Sequence, residues 1–423
     1  MLISNLEIMK IFFLATDYPY PGYSGGCVVN WSIVNCLIDE GHDVTLFVDP
    51  PHLYGHHIDE EINDRMKEKI KSLKCDIVPL NHLYKKISKK NFIQKLFSNK
   101  FEDYFASCFM SEEIEKVIKK NVDEIKPDLL LCYGSPAIHW VKNINTKKAG
   151  FFHVRSATSY ANLIINYEIE GLSFRVIKDC VIYLKARLFD KKLIKEANEI
   201  DIRFTHSKDF CEIMLKRGLK DCKNLFTPYF DHRKYYNKEI VREKRKYFKI
   251  IIVGLMSTVN KAQLYTLQKY VLPYLEKNLD MKKVQFHMIG VNHEDMPKYF
   301  RDKDYIFAKG YVEDFNFELQ DCDLFYCYTP FVLGLRTRLL DALNFQTAII
   351  TSKDDIKSLP FLEHKNNCYV AQNKENIGAL IIEIMNDKNI ENIRNNARKT
   401  YENNISIKIA GKKYIEAILY DKS

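Results

Sequence analysis

Short apolar runs without the alternation of amphipathic strands recur along this chain, and turn residues bound them. Residues 10–15 and 43–48 are two such runs, separated by a segment of helical periodicity that Gly41 follows. Runs of this kind are typical of strands that a parallel sheet buries on both faces, and glycine is favoured just after a helix. The first 60 residues therefore predict a βαβ unit of a doubly wound sheet.

The strand pattern continues and then restarts near residue 248. We predict further strands at 127–134, 148–154 and 200–207, then at 248–254, 284–290, 305–311, 323–328, 347–352 and 367–373, and later helices at 260–278, 313–320 and 336–345. For 423 residues this predicts an α/β protein with two domains. The proline turn and charge run of 228–248 mark the boundary. We therefore divide the chain into 1–240, 241–405 and a C-terminal helix over 406–423.

Composition excludes several classes of protein. With 46% hydrophobic and 28% charged residues, the chain is neither collagen-like nor disordered. Its longest apolar runs fall short of the roughly 18 residues of a membrane span, and Glu7 precedes the first run, unlike in a signal peptide. Eleven cysteines without a C-x-x-C pair are typical of reduced thiols. We therefore expect a cytoplasmic protein.

Loops that follow predicted strands are the candidate sites, because doubly wound sheets bind ligands there. Gly25 and Gly26 can expose backbone N–H groups at a helix start, unless they form an ordinary turn. His153 can bind a substrate or move a proton, unless a backbone carbonyl satisfies it. Tyr311 and Val312 belong to a turn that can contact a planar base, or that merely joins a strand to a helix.

The loop and helix at 334–343 are the most informative segment. Gly334 opens the predicted helix, Arg336 and Arg338 lie in its first turn, and Asp341 lies about one turn later. Cations are disfavoured at a helix N-terminus. Two arginines there therefore indicate an anionic ligand such as phosphate. The alternative is a local pair between Arg338 and Asp341, three residues apart.

Signals for metals and other cofactors are weaker. Asp321 and Asp323 form a D-x-D pattern where a helix gives way to a strand, and we interpret them as solvated turn residues. The sequence lacks a P-loop, a nucleophile elbow, an H-E-x-x-H motif and the glycine motif of dinucleotide enzymes. We therefore expect no metal ion, no cofactor and no dehydrogenase.

Residues 9–47 and 310–352 resemble glycosyltransferases of the GT-B fold, especially glycosyltransferase family 4 and its relatives. The likeness continues in order along nearly the whole chain, through TPYFD at 227–231 and the last helix, KKYIEAIL. The resemblance implies two Rossmann-like domains facing across a cleft. It also implies an enzyme that binds a nucleotide-sugar donor in the second domain and a glycan, lipid-linked or protein acceptor in the first.

The resemblance also implies roles for single residues. It implies a catalytic group that contacts the sugar and diphosphate, consisting of His153, Arg336 and Arg338. It implies a donor-binding group for ribose, base and phosphate, consisting of Gly25, Gly26, Lys261, Tyr311, Val312, Gly334 and Asp341. Enzymes of this kind typically retain the anomeric configuration and use no metal ion.

Departures from the family pattern leave alternatives open. The family carries a first acid eight positions before Asp341, where this chain has Leu333. Asp341 replaces the usual glutamate, Gln346 a common glycine and Ala348 a usual proline. The main alternative is a catalytically inactive GT-B partner or scaffold subunit. A sugar-nucleotide epimerase, another enzyme with two Rossmann domains, is a weaker one.

Nearly all of the +9 charge lies in the first part of the chain, with 41 basic against 33 acidic residues up to residue 250 and 23 against 22 after it. Residues 84–100 contain six lysines and no acid, interleaved with apolar residues, and 174–197 is a second basic segment. These patterns favour peripheral contact with an anionic membrane surface, or a solvated helix face. Nucleic acid is an unlikely partner, because no stacking array of aromatic residues accompanies the charge.

Overall fold

The computed structural model describes residues 7–21, 25–48, 60–80, 112–151, 191–233, 245–253, 258–312, 315–329 and 335–419. The chain divides into two compact units. Over the described residues, unit one comprises those up to residue 151, residues 191–230 and residues 407–419, and unit two comprises those within 231–406. The sequence places the corresponding limits near residues 240 and 405.

Unit one contains a parallel sheet with the strand order β3-β2-β1-β4-β5-β6-β7 over its described residues. The strands are β1 (Lys10–Ala15), β2 (Asp43–Val48), β3 (Asp76–Pro79), β4 (Leu129–Tyr133), β5 (Lys148–Phe151), β6 (Ile202–Thr205) and β7 (Lys223–Asn224). Helices α1 (Gly25–Asp39), α2 (Glu60–Lys71), α3 (Glu112–Ile125), α4 (Ser135–Trp140) and α5 (Lys208–Lys216) connect or cover them. The order changes direction between β1 and β4, as in doubly wound folds.

Unit two repeats this plan with the strand order β10-β9-β8-β11-β12-β13, again all parallel. The strands are β8 (Phe248–Val253), β9 (Val284–Ile289), β10 (Ile306–Ala308), β11 (Leu324–Tyr326), β12 (Ile349–Ser352) and β13 (Tyr369–Ala371). The helices are α6 (Thr258–Thr266), α7 (Leu272–Asn278), α8 (Lys298–Arg301), α9 (Phe315–Gln320), α10 (Thr337–Asn344), α11 (Lys353–Ser358), α12 (Ile377–Met385) and α13 (Ile390–Asn404). A π-helical turn, Leu267–Val271, joins α6 to α7, and a 3₁₀ turn, Met281–Lys283, precedes β9.

The predicted strands are confirmed where the structure describes them. In β1, β4 and β8 almost every residue is buried, which explains apolar runs without alternation. Gly41 has φ of 89°, as expected for the turn after α1. The prediction missed β3 and β7, because these two edge strands are half-exposed and lack a long apolar run. In the ranges that the structure describes, no helix is long and apolar enough to cross a membrane.

The C-terminal segment belongs to unit one. It consists of a π-helical turn, Ile407–Gly411, followed by α14 (Lys412–Leu419). The Tyr414 ring packs edge-on against Phe204 of β6, with centroids 5.6 Å apart. A Cβ atom on Gly411 would overlap Cys36 Sγ of α1. The segment therefore needs a glycine where it crosses α1.

We predict that Gly411→Ala destabilises unit one by about 1–3 kcal/mol, the usual range for overpacking. Because the clash is with a single sulfur atom, Cys36→Ala should restore most of the loss in the double variant. Urea unfolding followed by tryptophan fluorescence measures both effects. A double variant no more stable than Gly411→Ala alone would contradict this packing.

Candidate functional site

The predicted donor residues of unit two lie on segments that follow its strands. The carboxyl ends of parallel strands meet at one edge of a sheet, where ligands of such folds bind. Tyr311 comes shortly after β10, and α10, which carries Arg338 and Asp341, follows β11. The structure therefore brings these segments to the same edge of one sheet.

The turn after β10 is held in a conformation that requires glycine. Gly310 has φ of 61°, donates its N–H to Val291 O at 2.9 Å and accepts at its carbonyl from Gly290 N at 2.6 Å. A Cβ atom on Gly310 would lie 2.7 Å from Asn292 Oδ1. The next side chain, Tyr311, is 63% exposed. A fixed turn thus presents an accessible aromatic ring.

Arg336 has an interior position at the N-cap of α10 and is only 8% exposed. Its Nη1 donates to Cys327 O at 2.6 Å and to Thr329 Oγ1 at 2.9 Å, both just after β11. The same nitrogen lies 3.0 Å from Asp355 Oδ2. The anion that balances Arg336 is therefore a carboxylate of the protein itself.

Asp355 is equally well held. Its Oδ2 accepts hydrogen bonds from Thr351 Oγ1 at 2.5 Å and Ser352 Oγ at 2.8 Å, at the end of β12. Ser352 N also donates to it at 3.1 Å, which completes a capping box at the start of α11. The Arg336–Asp355 pair thus joins the ends of two neighbouring strands.

Arg338 and Asp341 lie further along α10 and are partly buried. The Asp341 side chain is 15% exposed, and its Oδ1 lies 3.8 Å from His232 Nε2. Burial lowers the pKa of His232 to about 4, so the imidazole is neutral at pH 7 and this contact is not an ion pair.

An arginine that the sequence did not reveal anchors the last turn of α10. Arg398 of α13 binds Asp231, the aspartate of TPYFD, through Nη2–Oδ2 at 2.8 Å. Its Nη1 donates to Asn344 O at 2.9 Å, and Asn344 Nδ2 donates to Asp231 Oδ1 at 3.1 Å. This cation balances the negative end of the helix that carries Asp341.

The interpretation of Asp321 and Asp323 as solvated acids is wrong. Asp321 is 14% exposed and binds Lys249 Nζ at 2.7 Å and Arg245 Nη1 at 2.5 Å. Asp323 Oδ2 accepts a hydrogen bond from Lys249 N at 2.7 Å, and Arg394 lies 3.7 Å from Oδ1. These carboxylates stabilise cations at the amino ends of β8 and β11. Over the described ranges, no group of three or more His, Cys, Asp or Glu could hold a metal ion.

The glycine loop of unit one faces a carboxylate. Gly25 begins α1, and a Cβ atom on Gly26 would lie 2.6 Å from Asp17 Cγ. Asn30 Nδ2 of the same helix donates to Asp17 O at 2.6 Å. Glycine is thus required because the Asp17 side chain packs against the first turn of α1.

The other predicted site residues can be located only in part. His153 and Gly334 lie outside the described residues. Lys261 belongs to α6, and Val312 lies half-buried next to Tyr311. The role of each predicted site residue stays a prediction.

Three buried histidines predict acid sensitivity. Burial lowers the pKa of His206 and His232 to about 4, and burial together with nearby lysines and an arginine lowers that of His287 to about 4. The unfolded chain therefore takes up protons first as the pH falls, and stability is lost between about pH 6.5 and 4. Each histidine contributes up to about 1.4 kcal/mol per pH unit.

Urea unfolding at pH 7, 6 and 5 measures this slope. His287→Leu should flatten it, whereas the same change at the exposed His293 should leave it intact. Equal slopes for wild type and His287→Leu would refute the contribution of His287.

Comparisons with known proteins agree with this arrangement. Residues 247–387 match the family model of glycosyl transferases group 1. No curated protein matches the chain significantly. Solved structures do match: Anabaena HepE in complex with UDP and glucose has a TM-score of 0.61 and 11% identity, over 96% of this chain and 98% of that one.

Two further structures extend the comparison. A Staphylococcus aureus TarM mutant in complex with fondaparinux, α-GlcNAc-glycerol and UDP has a TM-score of 0.65 and 12% identity, over 97% of this chain and 100% of that one. A putative UDP-N-acetylglucosamine 2-epimerase from Listeria monocytogenes has a TM-score of 0.53 and 10% identity, over 97% of this chain and 96% of that one. At such identities, the likeness concerns the fold.

The shared fold over nearly the whole chain confirms the GT-B architecture that the sequence resemblance implies. Within it, residues 247–387 are a glycosyl transferases group 1 domain.

Proposed function

We propose that the protein transfers a hexose-like unit from a nucleoside-diphosphate sugar to a glycan, lipid-linked or protein acceptor. One observation carries the proposal: the domain that matches the glycosyltransferase model has an exposed aromatic ring, an arginine-bearing helix start and a carboxylate on segments at one sheet edge. A planar base, a diphosphate and a ribose need these three kinds of group.

In this proposal the nucleotide contacts four residues of unit two. Tyr311 packs against the base, and Asp341 accepts hydrogen bonds from two ribose hydroxyls. Arg338 binds the diphosphate at the positive end of α10, with Lys261 as a second cation. Arg338 is the better candidate of the two arginines, because Arg336 is already paired with Asp355.

The leaving group determines the electrostatic demand. The anomeric C1–O bond breaks, the nucleoside diphosphate departs with the electron pair, and the acceptor oxygen bonds to C1 as its proton passes to the departing diphosphate. Arginine, lysine and a helix dipole can stabilise that departing charge, as a divalent ion does elsewhere. We therefore propose metal-independent transfer, with retention as the family resemblance implies. The pairing of Asp321 and Asp323 with cations of the protein supports metal independence.

We predict that one nucleoside diphosphate raises the melting temperature, equally in MgCl₂ and in EDTA. At a hundredfold excess over Kd the gain is about 2.7 kcal/mol, or about 5–10 °C. UDP is the first choice, because the HepE and TarM structures contain it. Arg338→Met should abolish most of the shift, and the control Lys357→Met, at an exposed lysine of α11, should leave it unchanged.

Each other outcome separates the hypotheses. If none of UDP, GDP, dTDP, ADP and CMP shifts the transition, the proposed function is contradicted. Binding without turnover of any donor and acceptor would favour the inactive GT-B subunit that the missing first acid suggests. Release of an epimerised sugar would favour an epimerase, the class to which the Listeria neighbour is assigned.

We also propose that the protein acts at the anionic inner face of a membrane. The lysine-rich stretch at 84–100, which lies outside the described residues, motivates this proposal. Each lysine near an anionic surface contributes about 1 kcal/mol, and salt weakens the contribution.

Vesicle sedimentation with phosphatidylserine tests the membrane proposal. Binding should fall as salt rises, and should fall at least about tenfold when four lysines of the stretch become glutamine. These lysines are Lys85, Lys86, Lys89 and Lys90. The control variant changes four exposed lysines in and after α3, which are Lys116, Lys119, Lys120 and Lys126. Equal binding by both variants would contradict the membrane proposal and would indicate that the lysine-rich stretch is a solvated surface.

A further inference from the structure

We propose that Arg336 is a positioning residue that does not contact the donor: its buried ion pair with Asp355 fixes the start of α10, and with it Arg338, against the ends of β11 and β12. The inference deepens the proposed function, on which it rests. It assigns different roles to Arg336 and Arg338, which are two residues apart.

Arg336 is attached to the segment that follows β11. Arg336 Nη1 donates to Cys327 O, one residue beyond the strand, and to Thr329 Oγ1. Its Nη2 also lies 2.8 Å from Cys327 Sγ. The N-cap residue of α10 is thereby tied to the segment that leaves β11.

Arg336 is also attached to the end of β12, through Asp355. Nη1 lies 3.0 Å and 3.2 Å from the two oxygens of Asp355, which is itself held by Thr351 and Ser352 at the end of that strand. Strands β11 and β12 are neighbours, with Tyr326 opposite Ile350. The Arg336 guanidinium thus connects the start of α10 to the ends of the neighbouring strands β11 and β12.

Burial argues against a direct role in phosphate binding. The Arg336 side chain is 7% exposed and that of Asp355 is 5% exposed, so phosphate could reach Arg336 only by breaking a desolvated pair. Asp355 would then lose its partner in a region with little water. Arg338 is less buried, and residues two apart do not share a helix face.

A fixed helix start is useful because the charge on the departing diphosphate must be stabilised without rearrangement of the protein. Donors and cations that already point at the leaving group act strongly in a site from which water is excluded. A guanidinium is suited to this attachment, because the N–H groups of Nη1 reach the Cys327 carbonyl and the Asp355 carboxylate together. The pair therefore preorganises the place where Arg338 binds diphosphate.

A double-mutant cycle tests the proposal with UDP and uridine as probes. The proteins are wild type, Arg336→Met, Asp355→Asn and the double variant, with Arg338→Met as the matched control. Calorimetry gives the affinity for each ligand, and a thermal scan gives the melting temperature. The double variant buries no lone charge, so it remains usable if a single variant folds poorly.

We expect Arg338→Met to weaken UDP binding tenfold or more, with unchanged uridine binding and melting temperature. Arg336→Met and Asp355→Asn should each lower both the melting temperature and UDP affinity. The UDP affinity and melting temperature of the double variant should be no lower than those of the more strongly affected single variant. The reason is that the two residues act as one unit. Arg336→Lys should recover stability and UDP affinity together.

Additive losses of UDP affinity in the cycle would overturn the positioning role, since Arg336 would then act without Asp355. Arg336→Lys with wild-type UDP affinity but the melting temperature of Arg336→Met would overturn it too. A wild type that binds no nucleoside diphosphate would overturn the proposed function first, and the positioning role with it. The two failures are therefore distinguishable.

Discussion

Parallel hydrogen bonding in the sheet of unit two is the constraint on which its chemistry depends. Strands buried on both faces can carry charged groups only at their ends, and all ends of one kind lie at the same edge. At the amino edge, Lys249 and Arg245 neutralise Asp321. At the carboxyl edge, Arg336 neutralises Asp355 beside the helix that carries Arg338. One sheet thus has a purely structural ionic cluster at one edge and a second cluster, next to the candidate donor residues, at the other.

Sequence reasoning succeeded where a property is local. Apolar runs predicted the buried strands of both sheets, and Gly41 predicted the end of α1, because burial and backbone conformation depend on a few consecutive residues. The candidate segments after β10 and β11 followed from the fold, since parallel topology decides which loops share an edge.

It failed where the partner of a charge is distant along the chain. The partner of Arg336 is 19 residues away, that of Arg398 is 167 away, and Lys249 and Asp321 are separated by 72. Arg336 lies near a helix start and is paired with an anion, as expected, but that anion is Asp355 of the protein and not a ligand. Helical spacing reveals only partners three or four residues apart, so it could not separate Arg336 from Arg338.

The membership of residues 407–419 in unit one has a consequence for biosynthesis. Among the described residues, unit two is the continuous stretch 231–406, so it can fold as soon as it leaves the ribosome. Unit one has its first strand at Lys10 but lacks Gly411 and Tyr414 until unit two has been synthesised. The unit whose synthesis begins first is therefore completed after unit two, and its apolar contact surface for α14 stays uncovered while unit two is made.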